Sequence, residues 1–204
     1  MAIINQATKE LQVKIVFYGP AMCGKTTNLV QVHDHVQTAV GNKGKLVSLA
    51  TSSDRTLFFD FLPIEAMSIK GFRTKFQLYT VPGQVIYNTT RQLVLRGVDG
   101  IVFVADSQYE KMSENVESFA NLEENLRTLK LNFAEIPYVL QYNKRDLPNA
   151  APVEYLEFLL NNREMQVPSF TAAAHRCEGV FETLNMITRM LLHKFISQST
   201  PQYA

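Results

Sequence analysis

Gly19-Pro20-Ala21-Met22-Cys23-Gly24-Lys25-Thr26 is the stretch that decides the fold. It matches the pattern G-x-x-x-x-G-K-[ST], in which glycines let main-chain N–H groups curl around phosphate oxygens without a clashing Cβ. That pattern needs a strand before it and a helix after it, and both are legible. Upstream, Leu11, Val13, Ile15 and Phe17 alternate with Gln12, Lys14, Val16 and Tyr18, which is the period of a strand. Downstream, Leu29, Val32, Val36 and Val40 recur at helical spacing as far as Gly41. The helix starting near Lys25 aims its positive dipole end at the same phosphates. Lys25 is placed to reach the β- and γ-phosphates, and the Thr26 hydroxyl to ligate Mg²⁺. Pro20, Ala21, Met22, Cys23 and Thr27 complete the expected phosphate-binding set.

Beyond this unit the chain keeps alternating. Lys45 to Ala50, Leu57 to Leu62 and Phe72 to Tyr79 read as strands. Gly100 to Asp106 is apolar up to its last residue, as a central parallel strand covered on both faces should be. Val116, Phe119, Leu122, Leu126 and Leu129 form a helical stripe. Ile136 to Tyr142 is a further strand, Val153 to Leu160 a helix and Val167 to Ala172 a short strand. Phe181, Leu184, Ile187, Leu191 and Phe195 carry a last amphipathic helix. Strands alternating with helices predict an α/β fold, a single three-layer domain over residues 1–204 with its core at about 11–196. The sheet is expected to be mostly parallel, with helices on both faces. Right-handed crossovers then gather the loops after the strand C-termini along one edge, where ligands bind.

Composition narrows the function classes. With 46% hydrophobic and 19% charged residues the chain is globular, not disordered. A net charge of +1 with no block of Lys or Arg gives no support for a nucleic-acid or anionic-lipid partner. Cys23 and Cys177 are too few for a disulfide framework, and Cys23 reads as a small apolar filler. The first residues form too short an apolar run for a signal sequence, and no stretch approaches the ~20 residues of a membrane span. Cytoplasm is the expected compartment, with any membrane contact made through a partner.

Three loops after strands carry further chemistry. Asn143-Lys144-Arg145-Asp146 follows the Ile136–Tyr142 strand. A carboxylate at Asp146 can accept from the guanine N1–H and exocyclic amine. Adenine has no such donor pair and would leave the carboxylate buried and unpaired, at a cost on the order of several kcal/mol. Asn143 is expected to brace the loops, and the Lys144 stem to cover the base. Thr80-Val81-Pro82-Gly83-Gln84 follows another strand. There the Gly83 N–H can meet a γ-phosphate and Gln84 can orient a water; in isolation the segment is an ordinary turn. Ser52-Ser53-Asp54-Arg55-Thr56 puts a second candidate Mg²⁺ ligand, Thr56, beside Arg55, which can swing onto developing phosphate charge. Ala174 and His175 stand where backbone N–H groups could serve the guanine O6, although Ala172-Ala173-Ala174 reads equally well as small-residue packing. Arg91 and Arg96 are expected to face solvent on a short helix.

The phosphate loop, the N-K-x-D string and the two switch-like loops resemble the Ras-like superfamily. Arg55–Pro63, Leu78–Gln84 and Gly97–Ser107 are very similar to the MglA (mutual gliding protein A) family, and the likeness runs from the N-terminus to about Phe195. The resemblance implies a bacterial GTP/GDP switch for cell polarity or motility, slow in hydrolysis without an activating partner. It further implies a Roadblock-fold, MglB-type activator, polarity or motility effectors, and Arg55 as an arginine finger supplied in cis. Three residues depart from Ras relatives: Thr80 replaces the Asp of D-x-x-G, Ala21 and Met22 replace common glycines, and His175 replaces a frequent Lys. Asp60 is the expected compensating carboxylate for Thr80. A GTP-holding scaffold that hardly hydrolyses is the alternative reading. An ATP-dependent kinase or transporter ATPase is disfavoured by Asn143-Lys144-Arg145-Asp146.

Overall fold

The apolar runs resolve into strands β1 (Ile3–Asn5), β2 (Glu10–Tyr18), β3 (Val47–Ala50), β4 (Thr56–Ile69), β5 (Phe72–Thr80), β6 (Gly100–Asp106), β7 (Tyr138–Asn143) and β8 (Ser169–Thr171). Between them lie helices α1 (Lys25–Val40), α2 (Asn88–Leu95), α3 (Met112–Thr128), α4 (Val153–Leu160) and α5 (Val180–Gln198). The structure, a computed structural model, describes residues 3–5, 8–40, 47–50, 56–69, 72–162 and 166–198.

All eight strands join one sheet in the order β3-β4-β5-β2-β6-β7-β8, with β1 on the edge of β2 that β6 leaves free. The pairs β2–β5, β2–β6, β6–β7 and β7–β8 are parallel. The pairs β1–β2, β3–β4 and β4–β5 are antiparallel. The expected mostly parallel α/β sheet is therefore present, with an antiparallel wing at one side. β4 also outruns the expected end at Leu62, continuing through Pro63 to Ile69. Pro63 stands opposite Gln77 in the ladder to β5, and the register shifts soon after, between Glu65 and Ser68.

Alternation in β6 divides the core. Ile101, Phe103 and Ala105 join Val16, Tyr18, Phe119, Leu122 and Leu126 on one face. Val102 and Val104 join Val13, Ile15, Phe17, Leu29 and Leu191 on the other. Every position of β6 is buried, as its apolar run predicts. Each such side chain contributes about 1.5–3 kcal/mol relative to exposure, so these two layers hold the sheet in place.

The α3 stripe differs from expectation at one end. Val116 is exposed, while Asn115, Ser118 and Asn125 are buried alongside Phe119 and Leu122. Asn115 and Asn125 bond to partners across the helix face, whereas the Ser118 hydroxyl is buried without a hydrogen-bond partner. Asn115 donates to the Asp106 carbonyl and accepts from the Asp106 N–H, closing the end of β6. Among the described residues no helix is long and apolar enough to cross a membrane.

The parallel strands all end at the same edge. Tyr18, Thr80, Asp106, Asn143 and Thr171 are their last residues, and each is followed by a loop. That shared edge is where the motif-bearing segments meet.

Candidate nucleotide site

The phosphate loop turns directly off β2 into α1. Gly24 sits at φ +102°, and a Cβ there would stand 2.1 Å from the Asn143 Nδ2. Only glycine permits both the conformation and that approach. Asn143 uses the space: its Nδ2 donates to the Cys23 carbonyl at 2.7 Å, and its Oδ1 accepts from the Ala174 N–H at 2.9 Å. One amide therefore ties three loops. Met22 adopts φ +60° and is 70% exposed, a side chain held in a conformation that favours glycine.

The Lys25 ammonium is buried and donates to the Gly19 carbonyl at 3.0 Å and the Pro20 carbonyl at 2.6 Å. Burial pushes its pKa below the ordinary lysine value, and the charge of Arg91 acts in the same direction. Burial likewise pushes the Cys23 thiol up, which fits an inert apolar filler and not a redox centre.

Met22, Gly24, Thr27, Asn143, Lys144, Asp146, Leu147, Ala174 and His175 line a cleft of about 380 Å³. On its wall the Asp146 Oδ1 is buried with no hydrogen-bond partner. The other Asp146 oxygen lies 3.7 Å from the His175 Nε2. Lys144 is held at φ +65° with its ammonium 2.7 Å from the buried Asp106 carboxylate. Asp106 was not singled out in the sequence. The signal was available: a carboxylate closing an otherwise apolar strand at the ligand-binding edge. A larger cleft of about 530 Å³, lined by Tyr142, Arg145, Thr171 and Glu182 among others, lies against β8 and contains none of the phosphate-loop residues.

At the other end of the site, the Thr26 hydroxyl donates to Asp60 Oδ2 at 2.6 Å. The Thr80 hydroxyl donates to the same oxygen at 2.9 Å and accepts the Asp60 N–H at 2.8 Å. Asp60 and Thr80 are fully buried. Gly83 crosses the phosphate loop so closely that a Cβ there would stand 2.2 Å from the Ala21 Cα. Gln84 follows in extended backbone, φ −84° and ψ 133°, at the start of the 3-10 turn Val85–Tyr87. Arg55 and the Thr56 side chain lie outside the described residues.

Arg91 corrects the expectation of a solvent-facing arginine: it is 0% exposed. On α2 it shares the buried face with Val94 and Leu95, three and four residues on. That i, i+3, i+4 spacing was in the sequence, but a charged residue on a short helix is exposed by default. Arg96, just past the helix end, is exposed as expected.

The charge balance fits a polyanion. Lys25 and Arg91 are buried cations near the phosphate loop; of the buried carboxylates near it, Asp106 is paired with Lys144 and Asp60 is bonded by Thr26 and Thr80. Phosphate oxygens at the loop would offset the uncompensated positive charge. The partnerless Asp146 oxygen fits a donor pair on a base.

A family model described as the Ras family matches residues 14–193. Mutual gliding-motility protein MglA of Myxococcus xanthus (strain DK1622) is 53% identical over 192 residues, covering 94% of this chain and 96% of that protein. Ras-related protein Rab-13 of Rattus norvegicus is 28% identical over 140 residues, 68% of this chain and 66% of its own. Rab-13 of Canis lupus familiaris is 26% identical over the same shares. The family model spans most of the chain and MglA is alike across nearly all of both chains, so the chain belongs to the Ras family of small GTPases.

Proposed function

We propose that the chain is a GTP/GDP switch of bacterial cell polarity or motility, of the MglA type, which hydrolyses GTP to GDP and phosphate. The observation that carries the nucleotide reading is the buried, partnerless Asp146 oxygen in a cleft continuous with the phosphate loop. The motility reading rests on the likeness to MglA across nearly the whole of both chains. A Roadblock-fold, MglB-like activator and polarity or motility effectors are the partners this reading expects. Recruitment to a cell pole would go through them, from the cytoplasm.

In this reading Gly19 to Thr27 grip the phosphates, with the Lys25 ammonium as the charge among them. Asp146 reads the guanine edge and Lys144 covers the base. Asn143 holds the base-reading and phosphate loops at fixed separation. The Ala174 N–H is engaged by Asn143, which leaves the next amide, at His175, to serve the guanine O6. Thr26 and Thr56 would hold Mg²⁺, with Asp60 fixing the Thr26 hydroxyl. That ion supplies neutralisation of charge on the β- and γ-phosphates. The Gly83 N–H donates to the γ-phosphate, and Gln84 positions water for in-line attack. Arg55, in cis, offsets charge in the transition state. Positioning and electrostatics supply the acceleration, with no covalent intermediate. The γ-phosphate would order the 52–59 and 82–96 segments, and partners would read that difference.

Competition between GTP and ATP, with Mg²⁺ supplied, tests the reading. The wild-type chain should prefer GTP strongly, and Asp146→Ala should lose most of that preference, on the order of a hundredfold, because two hydrogen bonds to a charged acceptor disappear. No preference in the wild type would overturn it. The close approach of Gly83 to Ala21 favours a second reading, a scaffold that binds GTP and hardly turns it over. Phosphate release with and without a Roadblock-type partner separates the two.

A further inference from the structure

We propose that Arg91 is a positioning residue for GTP hydrolysis, a buried clamp that fixes the main chain entering Gln84; this rests on the GTPase reading above. Arg91 Nε donates to the Pro82 carbonyl at 2.9 Å, and Nη2 donates to the Gly83 carbonyl at 2.6 Å. Those are the two peptides immediately before Gln84. Nη1 reaches the Asn121 Oδ1 on α3 at 2.6 Å and the Tyr18 hydroxyl on β2 at 3.5 Å. The guanidinium also lies 5.2 Å from the Tyr18 ring centroid.

Behind it the polar side chains lock one another. Asn125 donates to the Tyr18 hydroxyl, to Asn88 Oδ1 and to Asn121 Oδ1, at 3.0, 2.8 and 3.0 Å. Asn121 donates to Asn88, and Gln92 to Asn125. The frame therefore spans β2, α2 and α3. Among the described residues no carboxylate lies within ion-pair distance of Arg91, and its charge is solvated by carbonyls, an amide, the Tyr18 hydroxyl and the Tyr18 ring.

A buried guanidinium without a counter-ion is costly, and an apolar side chain of similar volume would fill the space more cheaply. It would, however, leave the Pro82 and Gly83 carbonyls without their side-chain donor in a largely buried turn. Arginine alone among the side chains presents several donors in a rigid fork that can span two carbonyls and still reach a third acceptor. The placement makes sense as control of direction. With both preceding carbonyls turned toward Arg91, the Gly83 N–H and the start of the Gln84 side chain are set on the phosphate-loop side. On the far side the Gln84 carbonyl accepts from Tyr87 N–H at 3.2 Å. The backbone of Gln84 is thereby held at both ends, although it lies on a loop.

Arg91→Lys tests the proposal, because lysine keeps charge and stem but cannot bridge two carbonyls. Single-turnover GTP hydrolysis should fall by on the order of 10–100-fold, since loss of alignment by about an ångström has that cost. GDP affinity should stay within about threefold, because the clamp touches neither the phosphate-loop amides nor Asp146, so the rate and the affinity separate. Wild-type hydrolysis in Arg91→Lys overturns the proposal. So does a parallel loss of GDP affinity and hydrolysis, which is the mark of simple core damage. Should Arg91→Lys fail to fold, half-buried Asn121→Ala, which removes one arm of the clamp, must still slow hydrolysis at unchanged GDP affinity; no slowing overturns the idea. If the wild-type chain neither binds GDP nor hydrolyses GTP, the GTPase reading itself has failed.

Discussion

The Thr26 hydroxyl donates to the Asp60 carboxylate at 2.6 Å, joining the start of α1 to β4 across 34 positions of chain. With its hydrogen engaged behind it, the Thr26 oxygen presents its lone pairs away from Asp60, toward the phosphate side. Thr80 completes the arrangement. Its hydroxyl donates to the same Asp60 oxygen while accepting the Asp60 N–H, so it aligns that carboxylate from the adjacent strand. The carboxylate stands on β4, the antiparallel neighbour of the strand that carries Thr80, within hydrogen-bond reach of Thr26.

Asp60→Asn preserves shape and one acceptor but removes the charge. The Mg²⁺ concentration needed for half-maximal GTP retention should rise by about 10–100-fold, the usual cost of losing a group that orients a metal ligand. A Mg²⁺ titration of fluorescent nucleotide binding measures it. An unchanged midpoint would remove Asp60 from any part in metal binding.

Much of this site was legible because it is written in contiguous strings at strand ends. Gly19 to Thr26 and Asn143 to Asp146 carry their chemistry in eight and four consecutive residues, and the apolar run of β6 fixes the sheet between them. Asp60 was legible only as a missing charge: Thr80 left a carboxylate unaccounted for. Arg91 was read as solvent-facing, and Asp106 and Asn125 were not singled out, because their roles depend largely on partners distant in sequence, such as Gly83 for Arg91, Lys144 for Asp106 and Tyr18 for Asn125. Hydropathy reads such residues as surface, and periodicity discounts polar residues on a buried face. Tertiary pairing overrode that default. For the same reason β4 reached past Leu62: strand length there is set by the ladder to β5, not by the local sequence of Pro63.

The crossing of Gly83 over Ala21 sets a second expectation. A Cβ at Gly83 would meet the Ala21 Cα at 2.2 Å and its N at 2.5 Å, so the two main chains already touch. Ala21 carries a methyl group at that crossing, beside the loop that bears Gln84. Ala21→Gly gives the loop room to settle over the phosphate, and single-turnover hydrolysis should speed up, up to about tenfold. GDP affinity should stay the same. Slower or unchanged turnover would show that the methyl does not obstruct the loop.

Tyr142 gives the alkaline limit of stability. Its side chain is fully buried on β7, and burial first, then the charge of Glu157, raises its pKa well above the ordinary tyrosine value of 10.0. Tyr18 is raised as well, again chiefly by burial. The sign follows from proton counts. As pH climbs past 10.0 the unfolded chain releases these phenolic protons while the folded chain keeps them, so the folded state binds more protons and stability falls. Below that pH both states are protonated and the contribution is constant. Urea unfolding of Tyr142→Phe should therefore show a shallower loss of stability above pH 10.0 than the wild type, with Tyr18 supplying part of the slope that remains. Equal slopes in the two proteins would mean that the Tyr142 phenol ionises as readily folded as unfolded, which its burial between β6 and β8 does not allow.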